Sequence, residues 1–130
     1  MKRFVVETHG KEELVDITSS VGDALSSFGI SEGACVVFCP HTTAGITINE
    51  YTDPAVARDL IRALREVVPA GRQWQHLEGN ADAHVKASLV GTSALVGIED
   101  GKMALGTWQG IFLCEFDGPR TREVWLKTIS

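Results

Sequence analysis

Ala34-Cys35-Val36-Val37-Phe38-Cys39 is apolar at every position, and Pro40 ends the run. A stretch this short and this apolar reads as a central strand covered on both faces. Beyond the proline, from Thr43 to Ile48, polar and apolar residues roughly alternate, which is the period of a half-buried strand. In that register Ala44, Ile46 and Ile48 face a core. Thr43, Thr47 and Asn49 face the other way, joined by His41 if the strand begins that early, and Glu50 stands at its end. One face then carries an imidazole, two hydroxyls and a carboxamide. The alternative, an ordinary solvated strand face, loses ground to two later segments that carry matching chemistry.

The remaining elements follow from spacing. Residues 3–8 and 12–17 read as two strands, with Gly10-Lys11 between them placed for a hairpin. Val21, Ala24, Leu25 and Phe28 recur at helical spacing, with Thr18 or Ser19 to cap the helix and Gly29 to end it. Asp53-Pro54 opens a second helix. Val56, Leu60, Ile61, Leu64, Val67 and Val68 form its apolar stripe and Pro69 its stop, so it packs on a sheet. Arg72 to Gly79 reads as a loop. Asn80 can cap a third helix with an apolar edge of Ala81, Val85 and Leu89, ended by Gly91. The last third reads as strands at 94–98, 102–105, 109–116 and 122–129. Asp100-Gly101 makes a tight hairpin and Gly118-Pro119 a corner.

At 130 residues this is one domain, residues 1–130, large enough to bury a substantial core. Net charge is −5 and no basic run occurs, which argues against a nucleic-acid partner. The N-terminus lacks an apolar core for a signal peptide, and no window approaches a membrane span. A cytoplasmic protein with no membrane partner is expected. Cys35 and Cys39 on one strand would lie about 13 Å apart at ~3.3 Å per residue, whereas a disulfide needs roughly 7 Å. With Cys114, they read as buried and reduced.

Candidate chemistry gathers in three segments: His41 to Glu50, His76 to Lys86, and Gly106 to Gln109 continuing to Glu115 through Arg120. A strand histidine, a loop histidine and a helix histidine (His41, His76, His84) can converge on zinc or another late first-row divalent ion. Neither H-E-x-x-H nor a paired C-x-x-C occurs, so a structural role for each is an equal reading. The third helix's N-terminus suits an anion, with Asp82 near its positive end and Lys86 and Arg120 as cations for a phosphate. Glu115 and Asp117 share a face with Ile111 and Leu113, which suggests a ligand site or an ion pair between subunits. Trp108 and Gln109 read chiefly as packing groups.

His41-Thr-Thr-Ala-Gly45 with Ile48-Asn49-Glu50, Gly79-Asn80-x-Asp82-Ala-His84-x-Lys86, Gly106-Thr-Trp-Gln109 and Glu115-Phe-Asp117-Gly-Pro-Arg120, in that order, resemble the YjbQ/UPF0047 family. Its members are small bacterial and archaeal proteins, also labelled secondary thiamine-phosphate synthase enzymes. The resemblance covers essentially the whole chain. It implies an α+β fold with a mixed, mostly antiparallel sheet or sandwich and about three helices, assembled as a homotrimer. It also implies a polar pocket at a subunit boundary, and weak synthesis of thiamine phosphate from a pyrimidine pyrophosphate and a thiazole phosphate. On that basis Glu50, His41 and Lys86 are the catalytic candidates. Thr43, Asn49, Asn80, Asp82, Gln109 and Arg120 are the substrate-binding ones, and His41, His76 and His84 the metal ligands. Two alternatives stand beside it: a metal- or metabolite-binding module without turnover, and a metal-dependent phosphate hydrolase with Glu50 as general base.

Overall fold

The computed structural model describes residues 1–71 and 74–130. Among the described residues, eight strands form two sheets. A five-stranded sheet runs in the order β1(Lys2–Glu7), β8(Thr121–Ile129), β3(Gly33–Phe38), β5(Ser93–Glu99), β6(Lys102–Met103); a three-stranded one runs β2(Glu13–Asp16), β7(Gln109–Glu115), β4(Ala44–Glu50). With helices α1(Thr18–Ser26), α2(Pro54–Val67) and α3(Ala81–Val90), this is the expected α+β fold. Every strand pairing among the described residues is antiparallel.

The main core lies between the sheets. Cys35 and Val37 of β3, Val96 and Ile98 of β5, and Val124 and Leu126 of β8 meet Ala44 and Ile46 of β4 and Ile111 and Leu113 of β7, with Val21 and Leu25 of α1 closing one side. A second, smaller core packs Ile61 of α2 and Ala83 and Ala87 of α3 against Cys114 and Phe116. All three cysteines are buried and free, as expected. Asp100 and Gly101 both take positive φ, the geometry of a two-residue hairpin turn between β5 and β6.

Several expectations change. β1 and β2 do not form a hairpin: β1 pairs with β8 in one sheet and β2 with β7 in the other. Two-fold alternation marks a strand but not the sheet it joins. β3 is central, yet only its Cys35–Val37 face is closed; Val36 and Phe38 on the other remain part-exposed. Thr18 does not cap α1. Its hydroxyl donates to Asp16 at 2.6 Å and accepts the Ile111 N–H at 2.9 Å, tying the helix start to β7. Asp53 does cap α2, accepting from the Ala55 N–H, but Val67 of the apolar stripe is exposed. In α3 the buried residues are Ala81, Asp82, Ala83, Lys86 and Ala87, so of the expected edge Ala81 is buried, Val85 part-buried and Leu89 exposed. Trp74 to Gly79 contain no helix or strand, in line with the loop expectation, while Arg72 and Gln73 of that loop lie outside the described residues.

Candidate functional site

Four pieces of chain meet at one end of β4: Pro40–Thr43 leaving β3, the loop with His76 and Glu78, the start of α3 with Asn80 and His84, and the β7–β8 corner with Arg120 and Arg122. They line an open hollow of about 430 Å³. Arg122 in its wall belongs to a buried ion pair with Glu115. The Arg122 Nε donates to Glu115 at 2.9 Å, and its Nη2 makes a very short bond to the other carboxylate oxygen and a 2.8 Å bond to the Thr43 hydroxyl. Thr8 and the Asp117 N–H also donate to Glu115. Burial alone would raise the Glu115 carboxyl; Arg122 and these donors overcome it and hold the group below the usual range. The ion pair thus lies within one chain, not between subunits.

The rim is a second polar cluster. Asp117 accepts from Asn80 Nδ2 at 2.9 Å and from Arg120 Nη2 at 2.9 Å. Burial pushes Asp117 upward, but these partners hold it below its ordinary value. Asn80 occupies the N-cap position of α3 without making the side-chain cap bond expected of it: its Nδ2 donates to Asp117, while the Oδ1 that a cap would use is buried and accepts no hydrogen bond among the described residues. Arg120 keeps about half its surface exposed. The His76 and His84 rings meet edge to face at 5.0 Å, and His76 lies 3.8 Å from Glu78. His41 Nε2 accepts the Glu123 N–H at 2.9 Å.

Of the sequence candidates, His41, Thr43, His76, Asn80, His84 and Arg120 line this hollow. Glu50, Asn49 and Gln109 do not. Glu50 pairs with Gln109 at the far end of β4, six residues from Ala44 and so about 20 Å away at ~3.3 Å per residue. There Asn49 accepts from the Glu50 N–H and Gln109 from the Gly106 N–H. Within one chain, then, Glu50 is out of reach as a base, and Arg120 takes Asp117 rather than Glu50 as its carboxylate. Lys86 and Asp82 are enclosed, paired with each other at 3.0 Å, and Lys86 also binds Glu12 at 2.8 Å. No three ligating side chains among the described residues cluster tightly enough to hold a metal ion. The His76 and His84 rings are neighbours, while His41 has its Nε2 engaged by the Glu123 N–H.

Arg122 was not among the candidates. A family model described as UPF0047 protein YjbQ-like matches residues 2–130. The chain belongs to the YjbQ/UPF0047 family. The YjbQ/UPF0047 relatives include UPF0047 protein MJ1081 of Methanocaldococcus jannaschii, 52% identical over 128 residues, covering 98% of this chain and 93% of that one. UPF0047 protein YugU of Bacillus subtilis is 49% identical over 131 residues, covering 100% and 99%. A crystal structure of a YjbQ/UPF0047-family protein from Clostridium acetobutylicum superposes with a TM-score of 0.97 at 50% identity, covering 99% of this chain and 100% of that one. The fold described above is thus shared with that YjbQ/UPF0047-family structure.

Proposed function

We propose that the hollow beneath α3 binds a small phosphorylated metabolite. The protein then acts as a small-metabolite enzyme with weak thiamine-phosphate-synthase-like activity, joining a pyrimidine pyrophosphate to a thiazole phosphate. The observation that carries this reading is Arg120: its guanidinium is anchored by Asp117, half exposed, and set among three imidazoles in one hollow. A forked donor held in this way matches phosphate oxygens, and about 430 Å³ lies within the range of small-ligand sites. In the joining reaction a C–N bond forms while the C–O bond to pyrophosphate breaks. The part assigned to Arg120 and the histidines is to hold the departing pyrophosphate.

The assembly proposed is a homotrimer in the cytoplasm. The outer face of the five-stranded sheet supports it, for it leaves Val5, Leu95 and Ile129 exposed beside Val36, Phe38 and Trp125. In such an assembly the far end of one copy's β4, with Asn49, Glu50 and Gln109, would complete a neighbour's hollow. This offers a use for a carboxylate that one chain cannot bring there. The second reading, a metal- or metabolite-binding module without turnover, has the His76–His84 contact in its favour. Those two side chains would give zinc or a similar divalent ion two ligands, leaving the rest to come from elsewhere.

The test is turnover. Purified protein given both precursors should form thiamine phosphate, and Arg120→Ala should lower the rate at least tenfold. No product from the wild type overturns the synthase reading, whereas stoichiometric metal on elemental analysis that is lost in His84→Ala supports the second. If no compound in a panel of phosphorylated metabolites shifts the melting temperature, the phosphate site itself is wrong.

A further inference from the structure

Pairing between β3 and β8 stops at Phe38 and Trp125, just before Pro40, which has no N–H to offer a neighbouring strand. Two residues back along β8, the Glu123 N–H finds the ring of His41 instead, donating to Nε2 at 2.9 Å. A backbone amide can only donate, so Nε2 must present its lone pair. In the neutral ring the proton is then on Nδ1. No group among the described residues bonds Nδ1, and the part-exposed ring lines the hollow.

We infer that His41 serves the ligand as a fixed, uncharged hydrogen-bond donor through Nδ1–H, and is neither a metal ligand nor a carrier of protons. The inference rests on reading the hollow as a phosphate site. Ligation of a metal through Nδ1 would drive the ring proton to Nε2, where it would face the Glu123 N–H, donor against donor. Taking up a second proton would create the same clash. On balance the surroundings favour the uncharged ring: burial first, then the Arg122 charge, hold His41 below its ordinary value, against the opposing Glu123 and Glu115 carboxylates and the Glu123 backbone hydrogen bond. A donor of fixed direction suits an anionic oxygen that must be held rather than protonated.

The experiment is long-range nitrogen–proton NMR on histidine-labelled protein at pH 7.5. His41 is assigned by elimination with His9→Gln, His76→Gln and His84→Gln, so that no His41 variant has to fold. The expected spectrum has the His41 proton on Nδ1 and none on Nε2; a proton on Nε2, or a charged ring, overturns the inference. On adding inorganic pyrophosphate the His41 Nδ1 signal should move. His41→Gln, whose amide can accept from Glu123 and still donate, should bind pyrophosphate within about threefold of wild type. His41→Ala should bind about tenfold more weakly, as for a lost hydrogen bond to a charged group. Equal loss in both variants contradicts the donor role, as does loss of the Nδ1 proton on adding zinc. If pyrophosphate moves no histidine signal, the phosphate site fails, while the position of the His41 proton still decides the tautomer.

Discussion

Along β8 the inward positions are Arg122, Val124 and Leu126, so one cation occupies a row otherwise given to the core. Glu115 stands in the same way behind Ile111 and Leu113 on β7, and the two meet. Both are nearly or wholly buried, so neutralising one partner leaves a charge with little solvent. Glu115→Gln should cost about 3–5 kcal/mol, measured by urea unfolding at pH 7. Because the folded-state value of Glu115 is depressed, its stabilising effect is complete above its ordinary 4.5 and is lost as pH falls below that. The variant should therefore show a shallower fall in stability with acid, the remainder coming from Glu12 and Asp117, whose values are also held down. A steeper acid limb would contradict this. Opposite charges in core phase on two strands were visible in the sequence as an oddity. Glu115 is legible for that reason beside Ile111 and Leu113, whereas Arg122 stands at the polar start of its strand, and only the meeting of β7 and β8 gives it a buried carboxylate. The candidates His41, Asn80 and Arg120 are legible because each sits at an element boundary, where Pro40, Gly79 and Gly118-Pro119 mark turns, and His84 because it follows in the first turn of α3.

At the scale of elements, Glu12 joins three pieces of chain. It accepts from Arg65 of α2 at 2.6 Å and from Lys86 of α3 at 2.8 Å while sitting just before β2. Lys86 is 1% exposed and shares its ammonium with Asp82. Lys86→Met should lower stability by about 3–5 kcal/mol, since two buried carboxylates lose their cation, and should leave pyrophosphate binding per folded molecule unchanged. Retained stability with lost binding would return Lys86 to the ligand site. The phase of α3 is not legible in its sequence: alanine and valine occur on several faces, so nothing local separates the expected edge, of which Ala81 is buried, Val85 part-buried and Leu89 exposed, from the buried Ala83-Ala87 face. The helix is oriented by the Asp82–Lys86–Glu12 link, a contact made with a residue seventy-four positions away from Lys86. By contrast, the start of α2 at Asp53-Pro54 was legible, because a cap bond is local. The β1–β2 hairpin failed for the opposite reason: pairing is non-local, and neither strand's alternation names its partner.

For the whole molecule, the uneven covering of the two sheets is the main consequence. The three-stranded sheet is packed on both faces, by the main core and by α2 and α3, whereas the five-stranded sheet keeps one face open. On that face Trp125 lies 5.8 Å from Phe38, with the Arg3 guanidinium 4.4 Å from its ring. Among the described residues, no helix is long and apolar enough to cross a membrane. If the trimer proposed above forms through this face, Trp125→Glu should yield a folded monomer by light scattering at micromolar concentration. A trimer unchanged by that substitution would place the contact elsewhere. The claim on which the functional account stands is that the hollow holds a phosphate group through Arg120. Calorimetric titration of the protein with inorganic pyrophosphate addresses it directly. Saturable binding that weakens with added salt, as expected for charge-assisted contacts, and that falls at least tenfold in Arg120→Ala is the predicted result; binding that is absent, or indifferent to Arg120→Ala, would contradict it.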